Sequence, residues 1–244
     1  MKSGPDIAEV AALIGDPARS NVLVALMDGS ALTASELACA AGVSPATASE
    51  HLKKLTAAGL LAVARQGRHR YYRLAGPAVA ELIEAIARVA ADMPRPKRLP
   101  ARGDDAVRRA RTCYDHLAGQ LGVALTEALV RRRCLEPVAE DFRVTPAGVR
   151  FLASLGIDLA AVQRQRRAFA RQCLDWTERR PHLGGALGAA LFDTCLARGW
   201  VSRIAGTRAV ALTPSGRRAI ARLFDIQPPD GSGRDPGLSP AARP

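Results

Sequence analysis

Residues 44–61, SPATASEHLKKLTAAGLL, run directly into residues 62–74, AVARQGRHRYYRL, and these two stretches decide the reading of the chain. Ser44 is a good helix N-cap and Pro45 suits the first helical position, so a helix is predicted from there. On it Ala48, Leu52 and Leu55 share one face and should be core. The opposite face presents Ala46, Glu50 and Lys53, flanked by Ser49, His51 and Lys54. That face fits a DNA major groove: Ser49 and Lys53 can donate to base edges or phosphates, and Glu50 can accept from a cytosine amino group. Ser44 and Thr47 stand at the helix start, where free backbone N–H groups favour a phosphate. Beyond Gly59, Leu60–Ala64 and Tyr71–Leu74 read as two strands of a hairpin with Gly67 at its tip. Arg65, Gln66, Arg68, His69 and Arg70 crowd that tip. Arginines there can enter a minor groove or clamp phosphate, unless the hairpin is simply a solvated one.

Working outward, apolar residues recur at helical spacing through Ile7, Val10, Ala11 and Ile14, through Val22, Leu23 and Leu26, and through Leu82, Ile83, Ile86 and Val89. Ala34–Ala40 gives a short helix and Gly42 a turn. The segment MPRPKRLPARGDD, residues 93–105, is rich in proline and arginine and reads as an extended linker. From Gln227 the tail PPDGSGRDPGLSPAARP cannot form a core and should be disordered. The expected units are a DNA-binding domain over 5–92, the linker 93–105, a second domain over 106–226 and the tail 227–244.

The 244 residues carry a net charge of +12, which favours a polyanionic partner such as nucleic acid, although an arginine-rich and alanine-rich chain can also reflect coding bias. Its distribution is more telling. Residues 1–94 balance 9 Lys+Arg against 9 Asp+Glu, while His51–Arg73 holds basic residues and no acidic one. The first residues lack a signal-peptide core and no apolar run reaches membrane-helix length, so a cytoplasmic protein with no membrane partner is expected. Five scattered cysteines make a disulfide framework unlikely and point to reduced thiols. No P-loop, glycine-rich dinucleotide turn, HExxH or nucleophile elbow occurs, which disfavours an enzyme.

The second domain contains a repeat. HLAGQLGVALTEALVRRRCLEPV from His116 aligns without gaps onto HLGGALGAALFDTCLARGWVSRI from His182. Each copy continues through a strand and a turn into a TPxG helix start at Thr145 and Thr213. Helix, hairpin and capped helix follow the order of a winged helix, so the fold class expected is mainly α with small β-hairpin wings: a winged helix-turn-helix domain plus a C-terminal domain of two winged-helix-like repeats. Upstream of each copy lies Arg-x-Cys-x-Asp, at Arg111 and at Arg171. Placed on a helix, Cys113 and His116 would share a face. If the halves pack about a pseudo-twofold axis, Cys113, His116, Cys173 and His182 would converge on a sulfur and nitrogen site suited to a soft or borderline divalent ion such as zinc, cadmium or lead. Two other readings stay open. The histidines and cysteines could be packing elements, or the thiols could sense redox state, with Arg111 or Arg171 lowering a thiol pKa.

IGDPARSNVLVALMDG (14–29), LTASELACAAGVSPATASEHLKKLTAAGLL (32–61) and RQGRHRYYRL (65–74) together resemble the ArsR/SmtB family of winged-helix repressors, over roughly residues 5–92. The resemblance implies a homodimer joined through the first and last helices of that domain, here Ile7–Ile14 and Val79–Ala90, which binds double-stranded operator DNA and leaves it when an inducer binds. The alternative is an architectural DNA-binding protein without an inducer. The family's metal boxes are not matched. Where cysteines are placed in the segment corresponding to Leu32–Leu37, this chain has Thr33 and Ser35. Where acids and histidine line the last helix, Ala78–Ala91 offers only Glu81 and Glu84. Cys39 is expected to be a buried packing residue. An inducer site is therefore expected in the second domain.

Overall fold

The computed structural model describes residues 7–66, 69–92 and 104–229. Gly67, Arg68, most of the expected linker and residues 230–244 lie outside them. The first unit runs α1 (Ile7–Ile14), α2 (Pro17–Ala25), β1 (Leu32–Thr33), α3 (Ala34–Ala41), α4 (Pro45–Ala57), β2 (Leu61–Gln66), β3 (His69–Leu74) and α5 (Pro77–Asp92). Its helices start where local chemistry says they should. Asp16, Thr33 and Ser44 each accept a hydrogen bond from the backbone N–H three residues on, and Thr33 with Glu36 closes a capping box. Gly42, at φ 68°, ends α3 in the left-handed region and sets the tight turn into α4. Val22, Leu23, Leu37, Leu52, Leu55, Leu74 and Ile83 form one core. Strands β2 and β3 pair from Leu61↔Leu74 to Gln66↔His69, so the wing is longer than the spacing suggested. This is the winged helix-turn-helix fold.

The second unit opens with α6 (Asp104–Arg109), which takes in the last two residues of the segment expected to be linker. It continues with β4 (Arg111–Cys113), β5 (His116–Ala118), α7 (Gly119–Arg131), β6 (Leu135–Val138), β7 (Asp141–Val144) and α8 (Pro146–Ser154). After α9 (Leu159–Gln163), the plan repeats as β8 (Arg171–Leu174), β9 (Pro181–Gly184), α10 (Gly185–Ala197), β10 (Val201–Arg203), β11 (Val210–Leu212) and α11 (Pro214–Phe224). Thr145 and Thr213 cap α8 and α11 through the amides of Gly148 and Gly216. A Cβ on either glycine would collide with the carbonyl of Cys134 or Trp200, which is what the TPxG pattern encodes.

One expectation is corrected. Cys113 and His116 are not on a helix: they pair across a two-residue turn at Tyr114 and Asp115, with Tyr114 at φ 59°. Residues three apart meet both on a helix face and across such a turn, so spacing alone could not separate the two.

The halves are interlocked. Helix α7 packs on β9 and α10 on β5, and one core joins Leu121, Leu125 and Leu129 to Leu183, Leu187 and Phe192. The backbone repeats the exchange. Phe142 N–H donates to Ala170 O (2.7 Å) as Val210 N–H does to Ala110 O (2.9 Å), and Gln172 N–H donates to Glu140 O (2.9 Å) as Thr112 N–H does to Arg208 O (2.9 Å). Each wing hairpin is thus tied to the cysteine-bearing strand of the other half. Helices α7 and α10 occupy the recognition-helix position of their winged units, yet each buries about half or more of its residues in the shared core. At the start of the expected tail, Pro228 is buried and the Arg217 side chain donates to the Pro228 and Pro229 carbonyls. Among the described residues no single helix is long and apolar enough to cross a membrane.

Candidate metal centre and nucleic-acid interface

Burial of Ala48, Leu52 and Leu55 fixes the roll of α4, which leaves Ala46, Thr47, Ser49, Glu50, Lys53 and Lys54 exposed on the outer face, with Ser44 at its tip. Two hydroxyls are already engaged: Ser44 Oγ lies 2.9 Å from Thr47 Oγ1, and Ser49 Oγ donates to Pro45 O (2.9 Å). His51 departs from this set. It is half-buried, with Nδ1 3.5 Å from Arg19 and Nε2 3.9 Å from Asp16 at the cap of α2, because its position on the helix rolls it toward the body of the domain. On the wing, Arg65, Gln66, His69 and Arg70 are exposed; Arg68 lies outside the described residues. Cys39, expected to be buried, is exposed on α3.

The four residues singled out in the second domain come together. The ligand atoms of Cys113, His116, Cys173 and His182 all lie within 4.8 Å of one another. Cross-strand pairing brings Cys113 to His116 and Cys173 to His182, and the exchange of hairpins brings the two pairs face to face. The sulfurs are 3.8 Å apart and the two Nε2 atoms 3.2 Å apart. A tetrahedral ion with bonds of about 2.3 Å to sulfur and about 2.0–2.1 Å to nitrogen has edges of about 3.8 Å between sulfurs and about 3.3 Å between nitrogens. The donor set therefore fits a zinc-like ion without rearrangement of these two edges.

The surroundings orient the donors. His116 Nδ1 lies 3.3 Å from Asp115 and His182 Nδ1 3.5 Å from Asp175, so each ring turns Nε2 toward the cluster, as carboxylate partners of metal-bound imidazoles do. Asp175 is fully buried: it pairs with Arg111 (2.9 Å) and accepts from Gly119 N–H (2.7 Å) and from Thr177. Burial opposes its charge, but Arg111 and these donors hold its carboxyl well below the usual range. Asp115 is held in turn by Arg167. The hydrogen bond from Cys113, aided by His116 and His182, outweighs burial and holds the Cys173 thiol far below its ordinary value, while the same bond and burial push Cys113 up. Burial works against a charged His116, yet Asp115 and Cys173 raise it to about 9.

The partners of several residues singled out in the sequence were not anticipated. Arg111, which under the redox reading could lower a thiol pKa, does favour the Cys113 thiolate, though the bond to Cys173 and burial outweigh it. Its guanidinium is fully buried between Asp175 and the Trp176 ring, 4.5 Å from the ring centroid. Trp176 thus anchors one half against the other. Arg171 turns away from the cluster to pair with Glu81 of α5 (2.8 Å), and Arg208 pairs with Glu84 of α5 (3.1 Å). The repeated Arg-x-Cys-x-Asp signal was visible; which copy of the arginine turns inward was not. A cavity of about 710 Å³ separates α5 from the cluster, lined by Glu81, Glu84 and Arg88 on one side and Cys113, His116 and Cys173 on the other.

Residues 16–63 match the family described as "Bacterial regulatory protein, arsR family". The chain is 43% identical over 223 residues to the "Uncharacterized HTH-type transcriptional regulator YdfF" of Bacillus subtilis (strain 168), covering 91% of this chain and 99% of that protein. Among solved structures, the homodimeric winged helix-turn-helix domain of Mb0332 from Mycobacterium bovis (fragment 1-100) is 27% identical, covering 41% of this chain and all of that one, with a TM-score of 0.34. The cadmium metal-sensor CMTR from Mycobacterium tuberculosis is also 27% identical, covering 39% of this chain and 98% of that one, with a TM-score of 0.31.

Proposed function

Because the chain belongs to the ArsR family of helix-turn-helix transcriptional regulators, we propose that this DNA-binding regulator is a homodimeric repressor whose hold on operator DNA is controlled by a soft or borderline divalent metal bound in its C-terminal domain. The observation that carries the metal reading is the convergence of Cys113, His116, Cys173 and His182, with sulfur and nitrogen edges that match a tetrahedral ion. Two thiols and two imidazoles form a donor set that suits zinc or cadmium over magnesium or calcium. In the DNA-bound state, Glu50 and Lys53 of α4 face the major groove and the wing arginines contact phosphate or the minor groove. Ile7 of α1 and Ile86 and Val89 of α5 are exposed apolar residues on the two helices expected to form the dimer contact, which supports a second copy of the chain as the partner there.

The experiment is binding of the full chain to DNA upstream of its own gene, with cadmium chloride added under reducing conditions. Cadmium should release the DNA, and Cys113→Ser with Cys173→Ser should abolish release while sparing binding. Lys53→Ala should weaken operator binding about tenfold with the dimer intact. Persistence of the wild-type complex in cadmium sinks the metal reading. The 3.8 Å sulfur separation favours one second reading. Here Cys113 and Cys173 close a disulfide, giving two electrons and two protons to a peroxide that is reduced to water; release by peroxide but not by cadmium would select it.

A further inference from the structure

The last helix of the DNA-binding domain carries two acids three residues apart; one pairs with an arginine on a cysteine-bearing strand and the other with an arginine whose backbone is hydrogen-bonded to the second such strand. Arg171, two residues before Cys173 on β8, pairs with Glu81 (2.8 Å). Arg208 pairs with Glu84 (3.1 Å), and its carbonyl accepts from the N–H of Thr112, the residue next to Cys113 on β4 (2.9 Å). Across the cavity the ion pairs link the helix to the strands, while at its edge Tyr114, between Cys113 and Asp115, packs against the core of the DNA-binding domain. Two ion pairs cross the cavity, Glu81 with Arg171 and Glu84 with Arg208, and on its far wall Asp115 is held by Arg167.

We propose that Glu84, through its pair with Arg208, is the residue that couples occupancy of the Cys/His cluster to the DNA-binding domain, with Glu81 and Arg171 as a weaker second strut. This rests on the metal reading given above and adds to it the route of the signal. Burial ranks the two struts. The Glu84 and Arg208 side chains are 5% and 17% exposed, whereas Glu81 and Arg171 are 55% and 42% exposed and screened by solvent. An ion drawn between β4 and β8 fixes the spacing of both hairpins, and a buried strut from the adjacent backbone passes that change to α5. The same helix offers Ile86 and Val89 on its exposed face, so a shift there reaches the surface that sets the relative placement of two recognition helices. A charged pair suits this role because displacing one partner leaves the nearly buried Glu84 carboxylate without the charge that compensates it.

The test uses the full chain under reducing conditions, with cadmium chloride as the probe. Cadmium affinity is read from thiolate-to-metal charge-transfer absorption, and operator affinity is read with and without the ion. Wild type should lose about tenfold or more in operator affinity on binding cadmium, a usual size for coupling between sites. Glu84→Gln should bind cadmium and, metal-free, bind operator within about twofold of wild type, yet lose most of the cadmium effect. Arg208→Met reads the same pair from its more exposed partner and should give the same loss, which keeps the test decisive should Glu84→Gln fold poorly. Glu81→Gln should reduce the effect by about twofold or less. If Glu84→Gln and Arg208→Met bind cadmium and still release operator as wild type does, the coupling proposal is overturned while the metal site stands. If wild type shows no charge-transfer absorption, the metal reading falls and the coupling falls with it.

Discussion

The two halves of the C-terminal domain share a motif and a backbone plan, and they use them differently. In the first half, the turn between Cys113 and His116 is only Tyr114 and Asp115, which leaves Asp115 at the rim, 28% exposed and paired with Arg167. In the second half, residues 175–180 separate the strands, and the longer loop folds Asp175 inward until it is fully buried against Arg111. The equivalent arginines part company as a result. Arg111 becomes a core residue under Trp176, while Arg171 is left to meet α5 of the neighbouring domain. Duplication supplied two Cys/His pairs that can face each other; unequal loops decided which half anchors the core and which half faces the DNA-binding domain.

The largest expected consequence is a difference between two chemically identical substitutions. Asp175→Asn removes the charge that neutralises a fully buried guanidinium and should cost about 3–5 kcal/mol, as loss of one partner of a buried pair does. Asp115→Asn, at a rim pair, should cost about 0–1 kcal/mol. Denaturant midpoints of the two variants check this, and equal losses would break the claim that the loops made the halves unequal.

Much of the first domain was legible because its signals are local. The cap at Ser44, the turn at Gly42 and the wing strands each act within a few positions, and the structure places the cap and the turn as read and the strands somewhat longer. His51 was not, because one step around a helix decides between solvent and the Asp16–Arg19 pair, and periodicity resolves faces only coarsely. In the second domain the repeat revealed which residues to compare, and its symmetry predicted their convergence. It could not reveal that hairpins rather than helices carry them. Nor could it show that Glu81 and Glu84, the acids in a last helix otherwise without metal ligands, are held by arginines far along the chain. Those contacts depend on tertiary placement, which no local pattern carries.

A second pair of substitutions sharpens the comparison at the cluster itself. Gly122 and Gly188 lie in equivalent turns of α7 and α10, and a Cβ on either would press on the carbonyl of Leu117 or Leu183, so alanine at each should destabilise by about 1–3 kcal/mol. The halves differ in what lies beyond. The added carbon at 188 would stand 3.2 Å from the His116 Cβ, while that at 122 would stand 3.7 Å from the His182 Cβ. Cadmium affinity should therefore drop further for Gly188→Ala than for Gly122→Ala. Equal losses of affinity would show that the two imidazoles are held with the same slack.

The smallest effect tests where the symmetry survives. Thr145 and Thr213 cap α8 and α11 with nearly the same geometry, accepting from Gly148 and Gly216 at 3.0 and 2.9 Å, and each hydroxyl also reaches back to a carbonyl at the end of the preceding helical segment. Neither cap touches the loops that distinguish the halves. Thr145→Ala and Thr213→Ala should each cost about 1 kcal/mol, and they should match each other within about 0.5 kcal/mol in thermal or denaturant unfolding. A clear inequality would mean that the asymmetry at Asp115 and Asp175 spreads through the shared core to the far ends of both repeats. Equality would confine it to the hairpin loops and to the strands that face α5.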